Sequence, residues 1–415
     1  MSAPLSHIRV LDLSRILAGP LATQFLADMG AEVIKVERPG SGDDTRGWGP
    51  PFAIDPDEND PGLSAYFMCC NRGKKSVAID MATPQGQDLI RKLAAEVDVV
   101  VENFKVGGLA KYGLDYETLK KTNPGLVYCS ITGFGQDGPY ARRAGYDFLL
   151  QGMGGLMSIT GEPDATTADG RHVGGPVKVG VAICDEVTGL NATAAILTAL
   201  IARDRTGEGR HIDIALLDAT VASLVNQAST HLVDGSVPGR MGNAHPTVAP
   251  YNAFQTADGH IILACGNDGQ FQRFCKVAGL GQLAGDPRFR TNPDRIRNRD
   301  DWMPVLEEAF RARPSAWWIE QLEAEGVPCG PINSIDEVFA DPQIQHRRMR
   351  RELPEPTLGH VAVTANPVRM TGHDTTAPKA PPRLGADTGD VLKDVLGLDD
   401  NRLASLAQKG IIAGG

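Results

Sequence analysis

Over the first two hundred residues, short β-branched runs alternate with helix-like stretches, a rhythm that leaves few folds open. Residues 8–13 and 32–36 read as strands on either side of an amphipathic stretch that reaches Met29, and 76–79 reads as a third strand. Pro84 opens a helix to about Ala95, in the first turn where proline's missing N–H does no harm. Residues 97–102 are mostly apolar, as a strand covered on both faces should be. A helix near 116–122, a strand at 126–131, an Ala- and Leu-rich helix around 185–202, a strand at 211–215 and a helix from about Asp218 continue the pattern. The alternation predicts an α/β fold, with a large doubly wound, Rossmann-like domain.

At 415 residues the chain suits two domains. Residues 237–251, full of Gly, Pro, Asn and His, read as a crossover. Beyond them lie a hairpin-like pair at 253–256 and 259–264 and helices near 269–278, 300–311 and 315–325. We expect 1–224 to begin the large domain, 225–335 to form a smaller α+β domain, and 336–415 to return and complete the first. Gly330-Pro-Ile-Asn-Ser334 leads back, Pro378, Pro381 and Pro382 mark a short linker, and two short helices close the chain.

Composition excludes several classes of function. With 41 Lys+Arg against 51 Asp+Glu the net charge is −10, which disfavours bulk nucleic-acid binding and a polybasic membrane surface. The first residues enter a strand without the charged start and apolar run of a signal peptide, and no stretch approaches eighteen uninterrupted apolar residues. Seven scattered cysteines with no CxxC offer neither a disulfide framework nor a zinc site, so no metal is expected and the cytoplasm is the default location.

The common catalytic signatures are also missing. There is no Walker GK[ST], no GxSxG elbow and no HExxH helix. Gly133-Phe-Gly-Gln-Asp-Gly138 fits GxGxxG by letter, but Pro139 and the polar residues after it give no sign of the helix that should hold a pyrophosphate. A tight loop explains it better. Glu37 ends a strand where a dinucleotide fold places a ribose-binding acid, yet no glycine fingerprint precedes it, which argues against a nicotinamide enzyme.

The run Gly174-Gly-Pro-Val-Lys-Val-Gly-Val-Ala-Ile-Cys-Asp185-Glu-Val-Thr-Gly-Leu-Asn191 is the most informative, because it delivers one acid, Asp185, to the start of an apolar helix. Position alone permits two readings: an N-cap accepting backbone N–H groups, or a carboxylate presented for chemistry.

Several motifs in fixed order carry a resemblance. They are Leu11-Asp-Leu-Ser-Arg-Ile-Leu-Ala-Gly-Pro20, Gly30-Ala-Glu-Val-Ile-Lys-Val-Glu-Arg38, Val101-Glu-Asn-Phe104, Ser130-Ile-Thr-Gly-Phe-Gly135, Gly145-Tyr-Asp147, the Asp185 segment and Arg205-Thr-Gly-Glu-Gly-Arg210. Nearly end to end, the chain resembles the class III (CaiB/BaiF) CoA-transferases, the family of formyl-CoA transferase. The resemblance implies that Asp185 is the nucleophile of an acyl exchange. Its carboxylate would form a mixed anhydride with the acyl group of an acyl-CoA and then an aspartyl-CoA thioester, splitting one hard exchange into easier steps. Coenzyme A is then a substrate, and no tightly bound cofactor is needed. The resemblance further assigns Arg38, Lys75, Asn103, Phe104 and Lys111 to CoA binding, and an interlocked homodimer to the assembly. In the family a glycine-rich loop supplies oxyanion donors. The matching segment here, Cys265-Gly-Asn-Asp-Gly-Gln270, keeps only Gly266 and Gly269.

Racemases of the same family pair the aspartate with a histidine where this chain has Tyr146. A tyrosine, with its ordinary pKa of about 10, is a poor base at neutral pH, so Tyr146-Asp147 in the substrate site favours transfer. Within the family, Ser14–Pro20, Gly42-Asp-Asp-Thr-Arg-Gly-Trp-Gly-Pro-Pro-Phe52 and Gly242-Asn-Ala-His245 are most similar to the succinate–hydroxymethylglutarate (glutarate) branch. That points to succinyl-CoA as donor and a dicarboxylate as acceptor. Arg15 is then a candidate for the distal carboxylate, or else a partner in a structural ion pair with a neighbour such as Glu37. The alternatives are a 2-methylacyl-CoA racemase and a non-catalytic CoA-binding protein of the same fold.

Overall fold

The computed structural model describes residues 3–53, 62–377 and 379–414; Pro378, one of the expected linker prolines, lies outside them. The chain divides into two compact units. One comprises Met1–Leu156, Gly180–Ala228 and Pro342–Gly415, the other Met157–Val179 and Ser229–Asp341.

The first unit is built on six parallel strands: β1 (Arg9–Asp12), β2 (Glu32–Glu37), β3 (Lys75–Ile79), β4 (Val99–Glu102), β5 (Val127–Thr132) and β6 (Arg210–Ala215). Their order across the sheet is β3-β2-β1-β4-β5-β6. This is the doubly wound order, in which the winding reverses between β1 and β4 and a crevice opens beyond their carboxyl ends. The expected rhythm is thus met, with one addition: Ile412–Ala413 pairs antiparallel to β3 and closes that edge of the sheet.

Helices cover both faces because successive strand residues alternate sides. Leu11, Ile34, Val77 and Val100 pack against α2 (Pro84–Ala95) and the late helix Thr388–Leu396. Val10, Val33, Val99, Val127 and Cys129 pack against α1 (Ala18–Asp28) and, after the short α3 (Asp147–Met153), against α4 (Ile183–Thr206). The last of these helices is α5 (Leu216–Ser223). At 24 residues α4 is the longest helix. It crosses α1 closely at Gly189, where an added Cβ would stand 2.7 Å from the Ala18 carbonyl oxygen, and its far end is tied by Arg203 to Asp98 at 2.8 Å.

Beneath the carboxyl ends of β1 and β2 lies a buried ionic network. Asp12 accepts from Lys74 Nζ at 3.0 Å, Thr23 Oγ1 at 2.7 Å and the Ser14 amide at 2.9 Å. Lys35 donates to Asp43 and to the Ser14 carbonyl, each at 2.8 Å. Glu37 holds Arg46 through two bonds of 2.7 Å, and that guanidinium lies 3.7 Å from the Phe67 ring centroid. Burial alone would raise the Asp12 carboxyl, but the Lys74 and Lys35 ammoniums hold it down to about 2. Burial pulls Lys74 below its ordinary value, and three acceptors (Asp12, the Pro20 carbonyl and Asn71) match its three N–H donors. The expected linker is a strap on this floor rather than a free connection: Pro382 O accepts from Arg46, Lys379 O from Gly73, and Ser76 Oγ from Gly385.

The second unit carries a three-stranded antiparallel sheet, β7 (Tyr251–Gln255), β8 (His260–Ala264) and β9 (Cys329–Pro331). The hairpin was expected; the third strand was not, and the residues read as a returning loop form it. Helices Asp268–Ala278, Arg299–Arg311 and Ser315–Ala324 enclose an aromatic core of Phe254, Phe271, Phe274, Phe310, Trp302 and Trp318. Among the described residues no helix is long and apolar enough to cross a membrane.

Asp12→Asn leaves Lys74 buried without its counter-ion, and breaking such a pair costs about 3–5 kcal/mol. Urea denaturation should show the midpoint falling accordingly. Because the folded pKa lies below the unfolded one, this contribution is complete above the ordinary value of 3.8 and is lost as the pH falls toward about 2.

Candidate active site

Helix α4 begins with a deficit. Its N-cap is Ala182, which has no side chain to receive the first-turn N–H groups. The acceptor comes from another element: Asp147 Oδ1 takes the Cys184 amide at 2.8 Å and the Asp185 amide at 3.4 Å. Asp147 Oδ2 accepts from the buried Gln151 Nε2 at 2.7 Å. Asp147, expected in the substrate site, is instead occupied as a cap supplied from α3.

The two readings of Asp185 separate on this geometry. The capping role belongs to Asp147, and among the described residues nothing hydrogen-bonds the Asp185 carboxylate. Burial and then the neighbouring Asp147 charge push its pKa up to about 7. A carboxylate so perturbed in a cleft has the character of a reacting group.

Two glycines put Asp147 in place. An added Cβ on Gly145 would lie 2.5 Å from Gly133 Cα, and one on Gly133 would lie 2.7 Å from Gly145 Cα. The loop after β5 and the chain entering α3 therefore touch backbone to backbone. The GxGxxG look-alike finds its explanation here, since Gly135 donates to Thr132 Oγ1 and Gln136 to Asp213, leaving neither N–H for a phosphate.

Asp185 opens onto a cavity of about 490 Å³ at the β1/β4 reversal, lined by 15–18, 103–106, Lys111, 143–146 and others. Asp185 is the one carboxylate among the lining residues, facing four cations: Arg15, Lys105, Lys111 and Arg143. Asn103 latches the two sides of the crevice, accepting from the Arg15 amide at 2.9 Å and donating to its carbonyl at 2.6 Å. The Phe104 amide donates to Glu102 at 2.8 Å, and burial raises that carboxyl to about 6. Ile16 holds φ at +73°, an outlier for a β-branched residue, and its amide points to Asp43.

The predicted residues separate into groups. Asp185, Arg15, Asn103, Phe104, Lys111 and Tyr146 line the cavity. Arg15 pairs with Asp44 at 2.6 Å rather than with Glu37, which is held by Arg46. Arg38 is exposed at the end of β2 and forms no ion pair among the described residues. Lys75 does not line the cavity: it stands at the start of β3, the amino end of the sheet, and bonds Glu32 at 2.6 Å. Gly266 and Gly269 belong to the second unit. There the Gly266 amide donates to Gln270 Oε1 at 2.7 Å, and Gly269 lies in the first turn of a helix capped by Asn267. The sequence reading missed Lys105, Arg143 and Tyr66. Burial and the Asp185 charge push the Tyr66 phenol up to about 12, and its ring meets Trp48 at 5.0 Å.

The model of CoA-transferase family III matches residues 5–388. The succinate–glutarate CoA-transferase of Agrobacterium fabrum is 48% identical over 392 residues, covering 94% of this chain and 96% of that protein. The succinyl-CoA:glutarate CoA-transferase of Mus musculus is 43% identical over 409 residues, 99% of this chain and 90% of that one. Among solved structures, a CaiB/BaiF family protein from Brucella suis is similar at a TM-score of 0.83 and 48% identity, covering 95% of this chain and 100% of the other. The chain belongs to CoA-transferase family III.

Asp147→Asn keeps an oxygen for the helix start and removes the charge. Asp185 should then titrate below its value of about 7, which carbodiimide labelling across pH, quantified by mass spectrometry, would detect. An unmoved titration would mean that burial alone sets it.

Proposed function

We propose that this family III CoA-transferase moves CoA from succinyl-CoA to glutarate or a dicarboxylate of similar size, with Asp185 as nucleophile. The observation that carries the reading is the Asp185 carboxylate: unbonded, half-buried, fixed at the head of a long helix and facing a cationic cavity. The relatives named for succinate and glutarate supply the choice of acids.

In the proposed sequence an Asp185 oxygen attacks the thioester carbonyl carbon. The C–S bond breaks, leaving a mixed anhydride and the CoA thiolate. The thiolate attacks the Asp185 carbonyl carbon and expels the donor acid as a carboxylate, leaving an aspartyl-CoA thioester. The acceptor carboxylate attacks that carbon, expels the thiolate and forms a second anhydride. The thiolate then takes the acceptor's acyl carbon and frees Asp185. Each covalent state is neutral at Asp185, so the burial and the Asp147 charge that penalise the free carboxylate do not penalise the anhydride or the thioester. The environment thus raises the free carboxylate relative to both covalent intermediates.

Arg38, Lys105 and Lys111 are suited to the CoA phosphates, and Asn103 and Phe104 form the wall beside them. No histidine lines the cavity among the described residues, which favours transfer over proton shuttling by a racemase. We further propose a homodimer. Leu190 and Ile201 on α4, with Val221 and Val225 just beyond, are exposed apolar side chains that a second copy would cover.

Asp185→Ala should abolish formation of glutaryl-CoA from succinyl-CoA, read by mass. Transfer surviving in the variant would remove Asp185 from the mechanism. In the wild type the rate should climb as the pH rises through about 7, where the attacking carboxylate forms. Light scattering should give twice the chain mass of 44.2 kDa, and a monomer would rule the dimer out.

A further inference from the structure

A dicarboxylate bound at Asp185 has a second carboxylate, and the cavity's four cations are not equally able to receive it. Lys105 and Lys111 are compact charges without a fixed fork, and Lys111 sits 4.5 Å from the Tyr112 ring centroid. Arg15 has the fork, but its Nη1 is already paired with Asp44 at 2.6 Å. Arg143 remains. Among the described residues it pairs with no carboxylate, and the one side-chain hydrogen-bond neighbour of its guanidinium is Met153 Sδ at 4.0 Å, a weak acceptor.

Arg143 is nonetheless held in orientation. Phe134 and Tyr140 meet edge to face, with centroids 5.6 Å apart, and make a corner for the guanidinium, whose carbon lies 5.3 Å from one ring and 4.6 Å from the other. Its amide closes a turn onto the Tyr140 carbonyl at 2.8 Å. The chain then runs through Gly145, fixed against Gly133, to Tyr146 and the cap Asp147. Four residues from Arg143 to Asp147 span at most about 14 Å, so the fork and the carboxylate that caps the head of Asp185's helix belong to one short, braced segment.

We propose that Arg143 binds the distal carboxylate of the dicarboxylate and sets the preference for dicarboxylic over monocarboxylic acids. This assignment rests on the CoA-transfer reading above and gives that site its specificity residue. The planar fork matches a carboxylate with two parallel hydrogen bonds, and a monocarboxylic acid of equal length leaves it unmet.

The test compares glutarate with valerate, its five-carbon monocarboxylic counterpart, as acceptors for wild type, Arg143→Gln and Arg143→Lys. Succinyl-CoA is the donor throughout, so any effect on the donor step cancels in the ratio of kcat/KM values. The glutarate-to-valerate ratio should fall about ten- to hundredfold in Arg143→Gln, the loss of a charge-assisted hydrogen-bonded pair, and part of it should return in Arg143→Lys, which keeps charge without the fork. Calorimetry should find free CoA bound with nearly the same Kd in all three. A ratio unchanged in both variants, with the two acids slowed alike, would overturn the assignment. A raised Kd for free CoA would overturn it as well and give Arg143 to the phosphates. Wild type that makes glutaryl-CoA while the ratio stays fixed would sink only the role of Arg143. Wild type that transfers CoA to neither acid would sink the transfer reading with it.

Discussion

The unfilled hydrogen bonds at the start of α4 organise the site. A helix beginning at Ala182 cannot cap itself, and Asp147 reaches it from 37 residues earlier in the chain. The cap requires α3 to stand beside α4, and that placement requires the bare backbones of Gly133 and Gly145 to touch. It also puts a second carboxylate next to Asp185. One carboxylate therefore does two things: it completes the helix, and it keeps its neighbour from resting as a comfortable anion. Had Asp185 capped the helix, its oxygens would have been engaged and its pKa lowered.

Below this lies the ionic floor of Asp12, Lys35, Asp43 and Lys74. Three acceptors meet the Lys74 ammonium and two meet that of Lys35, the kind of hydrogen bonding under which a buried pair is tolerated. The floor also ties together parts of the chain far apart in sequence. Lys35 bridges Ser14 and Asp43, and Glu37, through Arg46, reaches the strap at Pro382. The left-handed Ile16 sits at the rim of this floor, where Asp43 receives its amide.

Much of the first unit was legible in the sequence because its information is local. Apolar runs such as 97–102 mark strands buried on both faces, and Pro84 marks a helix start whatever surrounds it. The features that escaped depend on partners far away. Residues 329–331 look like a loop because Gly330 and Pro331 dominate them, yet they complete a sheet through pairing with β8. Residues 350–355 and 359–364 form an antiparallel hairpin absent from the sequence expectations, and Ile412–Ala413 is too short to read as a strand on its own. At the site, the place of Asp185 at the head of a long helix was readable from the apolar run before it. The role of Asp147 was not, since a cap delivered across 37 residues leaves no local spacing. Lys75 shows the opposite error. The family resemblance assigns it to CoA, yet the register of β3 puts it at the amino end of the sheet, bonded to Glu32.

Helix α4 is held at three places: by Asp147 at its head, by the close passage of Gly189 over Ala18, and by Arg203 on Asp98 near its tail. A rod fixed at three points along about 36 Å cannot tilt to follow a ligand. The rest of the cavity lining, by contrast, comes largely from the loops 15–17, 103–106 and 143–146. In the proposed reaction the attacking atom and the selecting surface thus lie on different elements, one on a helix and the other on loops. On that proposal, loop residues can change to suit acids of different length or charge while Asp185 keeps its place, so one scaffold can diversify its substrates without rebuilding its chemistry.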